Sequence, residues 1–226
     1  MRIVQENDRE ILHYIMTFVG GFLGLYAICA HGNYGSAQTG NLMNMVIDFV
    51  GDDLYDFAVR GGSLIIFCGG IVVSWLLTRF YMLPMRELCI VVDAAALAIS
   101  ALLPDDLYPF YRLYPLFFAT SFQWGTFDGV GQYKSASLFL TGNLKNCVLS
   151  WTRFVVDRKR EALVGARIYT LTIVSYVTGG FAGCEAVAHA GVMGAFYGYL
   201  PLAAAGLILA AEHASCRRMA AQKETE

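Results

Sequence analysis

Charged residues are scarce in this chain, making up 15% of its 226 residues against about 25% in an ordinary soluble domain. That scarcity argues against a surface solvated on every side. Basic tracts are short as well. The longest is Arg158-Lys159-Arg160 and the net charge is -2, so nothing points to a nucleic-acid partner. The six cysteines (Cys29, Cys68, Cys89, Cys147, Cys184, Cys216) contain no C-x-x-C pair, which removes the usual zinc-knuckle and redox motifs. They read as small apolar fillers. Catalytic signatures are missing too: there is no H-E-x-x-H, no Gly-x-Ser-x-Gly and no evident nucleophile–base pair. Glu185 and His189 share a helix face, but two ligands make a poor metal site. The expectation is a protein that is not an enzyme and carries neither metal nor cofactor.

What is present is apolar. Hydrophobic residues make up 57% of the chain, and its mean hydropathy is +0.51. They gather in stretches long enough to span a bilayer, at about 11–30, 61–83, 88–103, 113–130, 164–188 and 192–211. Charges fall between these stretches and at the ends. The first stretch ends in Ala27-Ile28-Cys29-Ala30, which imitates a signal-peptide cleavage region. The mixed charges of Glu6, Asp8, Arg9 and Glu10 ahead of it favour an uncleaved first helix instead.

Two further segments are more informative. Residues 39–50 begin Thr-Gly-Asn-Leu-Met-Asn-Met-Val, and residues 141–152 begin Thr-Gly-Asn-Leu-Lys-Asn-Cys-Val, 102 positions later. This is an internal repeat, with one unit at about 11–103 and the other at about 112–211. A twelve-residue helix is only about 18 Å long at 1.5 Å per residue, against a hydrocarbon core of about 30 Å. Each segment therefore reads as a half-helix that enters and leaves on one side. The expected fold is an all-α membrane protein of six transmembrane helices plus two short half-helices carrying Thr-Gly-Asn. Three spans per unit would set the two units in opposite orientations. The alternative is eight spans, with parallel units.

The positive-inside rule then puts both termini, Arg79, Arg86 and the 153–160 cluster in the cytoplasm. Asp52-Asp53 and Asp105-Asp106 fall outside with Arg60 and Arg112. Tyr108, Phe110, Tyr111 and Tyr114 read as an interfacial belt. Four G-x-x-x-G spacings occur, at Gly20/Gly24, Gly125/Gly129, Gly179/Gly183 and Gly194/Gly198. They allow close helix packing and permit a homodimer, yet with 23 glycines some such pairs arise by chance.

The Thr-Gly-Asn-Leu segments, Gly21-Phe22-Leu23 before the first of them, and the chain length resemble the YoaK-type family of bacterial membrane proteins, which has no established function. The resemblance covers about residues 11–211. It implies a bacterial cytoplasmic (inner) membrane protein and supplies no substrate. The chain departs from the family at Gly24, where members often carry an acidic residue shortly after Gly-Phe-Leu.

Polar groups at membrane depth are costly, so each is a candidate. Thr39, Gly40 and Asn41, with Thr141, Gly142 and Asn143, would bring helix N-termini together. Asn44 and Asn146 follow one turn later on the same faces. These asparagines either touch a solute or stabilise broken backbone. Gln123, Trp124 and Asp128 in the fourth stretch, and Asp93 in the third, are further candidates, as is Lys145, which either balances a carboxylate or snorkels to the surface. The function expected is passage of a small solute or ion across the membrane. A scaffold without flux is the alternative, and a membrane-embedded enzyme a more distant one.

Overall fold

The apolar runs form helices, and several end where the sequence supplies a residue suited to stopping them. The computed structural model describes residues 2–223, with side-chain surroundings for residues 8–217, and shows eight α-helices and no strand among the described residues. Helix α1 (Arg2–His31) stops at Gly32, whose φ of +71° suits glycine. After α2 (Gln38–Val50), Asp53 caps α3 (Leu54–Leu76) by accepting the Asp56 N–H at 3.0 Å. A π-type turn (Leu77–Tyr81) and Pro84 lead to α4 (Met85–Leu102). A 3-10 turn (Pro109–Leu113) opens α5 (Tyr114–Thr126), and α6 (Leu140–Asp157) follows a non-helical segment. The chain closes with α7 (Arg160–Ala190), a 3-10 segment (Gly191–Gly198) and α8 (Tyr199–Lys223). Met1 and residues 224–226, the extreme termini expected in the cytoplasm, lie outside the described residues, as do the side chains of Arg218 and Lys223.

Three helical stretches are long and apolar enough to cross a membrane: Asp8–His31, Leu54–Tyr81 and Arg160–Arg217. The last contains α7, the 3-10 segment and α8. The exposure pattern suits lipid as solvent. Asn41 is the buried residue of α2 and Asn143 that of α6, while Val50 is 79% and Val156 73% exposed. In water each such exposed side chain would forgo roughly 1.5–3 kcal/mol of burial. Against lipid tails that cost vanishes, whereas a buried asparagine needs a protein partner.

Three segment boundaries differ from expectation. The sixth stretch, expected from about 192, opens as the 3-10 segment, and α8 starts at Tyr199. α5 ends at Thr126 rather than near Val130, which leaves Asp128 and Gly129 outside any helix. The segment after it forms a tight turn, with Val130 and Tyr133 exchanging backbone hydrogen bonds of 2.9 Å. α6 continues to Asp157, making 18 residues or about 27 Å. Length therefore does not mark α6 as a half-helix, though its direction and starting point remain informative.

Side-chain contacts fix the helix directions. α1 and α7 run parallel: Glu10 pairs with Arg167 at 3.1 Å, Phe18 meets Gly179, Phe22 meets Gly183, and Tyr26 donates to the Val192 carbonyl at 2.8 Å. α3 and α5 are also parallel, because Tyr114 donates to the Val59 carbonyl at 2.9 Å while Ser74 lies against Gly125. α1 and α5 are antiparallel: Gln123 donates to the Met16 carbonyl at 2.6 Å, and Leu116 lies near Gly35, beyond the end of α1. α4 and α8 are antiparallel too, with Arg86 on Glu212 at 3.1 Å and Tyr199 donating to the Ala94 carbonyl at 2.8 Å.

Glycine makes both parallel seams close. A Cβ on Gly179 would collide with the Phe18 carbonyl, one on Gly21 with the Tyr176 carbonyl, and one on Gly70 with Ser121. Gly179 and Gly183, which sequence spacing alone leaves open to chance, thus form a working contact face inside the chain. These spacings do not call for a second copy. Gly125/Gly129 is not a helix face at all, since Gly129 lies beyond α5.

Candidate functional site

Each Thr-Gly-Asn helix begins after the chain has turned back into the bundle. Past Gly32 the first connection re-enters: Gly35 lies against Ala27, and Ser36 lies beside Gly24 with its Oγ 3.3 Å from where a Cβ would stand. Past Thr126 the second does the same, and Ser137 returns to accept from the Gln123 amide at 3.2 Å and to press its carbonyl against Gly20. α2 then leads outward, its Asp48 pairing with Arg60 near the start of α3. α6 leads toward the opposite end: Trp151 donates to Thr170 at 3.0 Å and Ser150 lies by Gly165.

The two helix starts share one cavity of about 670 Å³. α2 and the residues before it contribute Ser36, Gln38 and Thr39; α6 contributes Thr141, Gly142, Asn143 and Asn146. Phe67, Trp124 and Phe139 supply apolar wall, with Trp124 and Phe139 stacked edge to face at 4.7 Å. Tyr176 of α7 closes another side, and Lys134 is the one charged residue of the lining. The first backbone N–H groups of a helix have no intrahelical acceptor, so two helix starts around one space present donors and partial positive charge.

The asparagines hold these starts in matching ways. Asn143, 3% exposed, donates through Nδ2 to the Ala136 carbonyl seven residues back at 2.7 Å. Asn41, 2% exposed, donates to the Tyr34 carbonyl, also seven residues back, at a longer 3.4 Å. Each therefore binds the re-entrant connection before its own helix. The Asn41 Oδ1 is buried without a partner. Of the pair, only Asn143 also lines the cavity. Gly40 lies under the Tyr34 ring, and Asn44 is half-buried away from the lining.

The remaining candidates scatter. Gln123 is buried between Met16 and Ser137, tying α5 to α1 and to the second connection, with its Oε1 unpartnered. Asp93 is fully buried in α4, where the Cys89 thiol lies 3.8 Å from Oδ2 and Oδ1 has no partner; it does not reach the cavity. Asp128 is exposed in the turn after α5, and Lys145 is exposed on α6. The expected aromatic belt clusters at the start of α3, where Tyr55 bonds Tyr111 at 3.2 Å. There the Asp56 carboxylate accepts from Tyr108 and, with some burial, pushes that phenol up to about 12.

Sequence reasoning missed Ser36, Gln38, Lys134 and Tyr176. Ser36 and Gln38 adjoin the first motif, so their proximity was available as a signal; Tyr176 carries none, being placed by the α1–α7 seam. The Gln38 amide has neither atom partnered although both are buried. Gly24, close to where the resemblance leads one to expect an acidic residue, lies behind two lining residues: a Cβ there would stand 2.9 Å from the Tyr176 hydroxyl and 3.3 Å from the Ser36 Oγ.

No curated protein and no solved structure matches the chain. A family model described as protein of unknown function (DUF1275) matches residues 12–211, and the chain therefore belongs to this family, the one anticipated from its two Thr-Gly-Asn-Leu segments as YoaK-type.

Proposed function

We propose that this chain is a multi-pass protein of the bacterial cytoplasmic membrane that passes a small neutral or anionic solute through the cavity between its two Thr-Gly-Asn helices. The observation that carries the reading is the convergence of both helix starts on one space. Converging half-helices with N-termini at a shared site are a recurrent way to bind solutes at membrane depth, and their positive ends repel cations. Lys134 adds positive charge, and no carboxylate lines the cavity.

The proposed topology has six spans, α1, α3, α4, α5 together with the 3-10 turn that opens it, α7 and α8, with α2 and α6 each entering and leaving on one side. Supporting it, α1 and α7 are parallel, α3 and α5 are parallel, and α1 opposes α5, as two inverted units of three spans require. Charge supports an orientation with both termini cytoplasmic. The end near α1's start gathers Arg9, Arg79, Arg86, Arg153, Arg158, Lys159, Arg160 and Arg167, whereas the other holds Arg60 and Arg112 among Asp52, Asp53, Asp56, Asp105 and Asp106. The polar lining around the asparagines favours passage over a scaffold with a dry interior.

Proteoliposome volume change by light scattering tests this reading. Gradients of glycerol, of potassium nitrate with valinomycin to carry the cation, and of choline chloride as a cation control would be imposed. Glycerol or nitrate permeation above empty liposomes, lost in Asn143→Ala, is the expected result. Permeation equal to empty liposomes for both probes would favour the scaffold reading.

A further inference from the structure

The sequence treats all six cysteines as filler, and the structure separates two of them. Cys29 near the end of α1 and Cys184 on α7 bring their sulfurs to 2.9 Å across 155 residues of chain. A bonded pair stands at about 2.05 Å, so a small rotation of the side chains separates thiols from disulfide. The proximity follows from the glycine seam. The helices are parallel, and Leu25 packs over Gly180, where a Cβ would stand 3.0 Å from the leucine side chain. One turn further on each helix, the next pair to meet is Cys29 and Cys184. Cys29 is exposed and Cys184 half-buried. Elsewhere, Cys147 bonds Thr170 and Cys89 lies buried beside Asp93.

We propose that Cys29 and Cys184 form a redox modification site, which an external disulfide closes into a bond tying α1 to α7. The oxidant is a low-molecular-weight disulfide or the disulfide of a thiol–disulfide oxidoreductase. The exposed Cys29 thiolate attacks it, forming a mixed disulfide and expelling one external thiol. Cys184 then attacks the Cys29 sulfur and expels the second. The two protein thiols lose two electrons and two protons, and both are taken up by the external disulfide as it becomes two thiols. The bond would fix the seam that carries Gly24 and Tyr176, and hence one wall of the cavity. It stands independently of what crosses the membrane. In the proposed topology this end faces the compartment where disulfides persist.

The test oxidises the full-length protein in detergent with oxidised glutathione, denatures it, counts free thiols with N-ethylmaleimide by intact mass, and maps the peptides. The wild type should lose two labels without gaining glutathione, yield a linked Cys29–Cys184 peptide, and regain both labels with dithiothreitol. Cys29→Ser and Cys184→Ser should give no such link, the remaining partner staying free or carrying glutathione. Full labelling of both wild-type cysteines, or a glutathione on each without a linked peptide, would overturn the proposal.

Discussion

The two Thr-Gly-Asn regions share a motif and differ in how firmly it is held. In the second, Asn143 reaches its carbonyl at 2.7 Å and lines the cavity together with Thr141, Gly142 and Asn146. In the first, Asn41 makes a 3.4 Å contact, leaves its oxygen unpartnered and cedes the lining to Gln38 and Thr39. Hydrogen-bond strength falls steeply toward such distances. The same three residues thus serve mainly as an anchor in one copy, and as anchor and lining in the other. Duplicated sequence does not imply duplicated duty.

The largest effects are expected at the two parallel seams, α1 on α7 and α3 on α5, that frame these regions. Gly179→Ala drives a Cβ into the Phe18 carbonyl, and Gly70→Ala drives one into Ser121, so each should cost about 1–3 kcal/mol or more. Gly69→Ala meets open space and should be neutral or gain about 0.5–1 kcal/mol. Thermal unfolding in detergent would read all three, and equal shifts at Gly69 and Gly70 would break the account of the seam.

Next come the asparagines themselves. Asn143→Ala removes the donor to the half-buried Ala136 carbonyl and should cost about 0.5–1.5 kcal/mol, with flux abolished. Asn41→Ala should cost less and only reduce flux. The reverse order would break the comparison of the two regions. Smaller still, Gly40→Ala brings a Cβ to 2.8 Å from the movable Tyr34 ring, while Gly142→Ala meets nothing within 4 Å. Unfolding should show a modest loss for the first alone. At the bottom of the scale, Asp128→Asn and Lys145→Gln alter exposed groups and should stay within about 0.5 kcal/mol of the parent. Lys134→Gln should leave stability alone and lower nitrate flux relative to glycerol.

Much of this was legible in the sequence because lipid imposes strong patterns. The apolar runs marked the long helices, and the 102-residue recurrence drew attention to both helix starts. The shared cavity was reachable too, since short helices with opposed directions leave few other places for their polar ends. Gly179, Cys29 with Cys184, and Tyr176 were not legible, because their roles depend on which helix lies opposite. Asp128 misled because Phe127 and Val130 extend the apolar run past Thr126, while Gly129 and Gly131 let the backbone turn.

The central claim is that α2 and α6 each begin and end on one side, and that the sides are opposite. Single cysteines at Asn33 and Asp52, and at Gln132 and Lys159, in an otherwise cysteine-free chain, would be probed with an impermeant maleimide in right-side-out and inverted membranes. The account predicts that Asn33→Cys and Asp52→Cys label from outside, and Gln132→Cys and Lys159→Cys from inside. Labelling of either pair from two different sides would mean that its helix crosses, and would contradict the account.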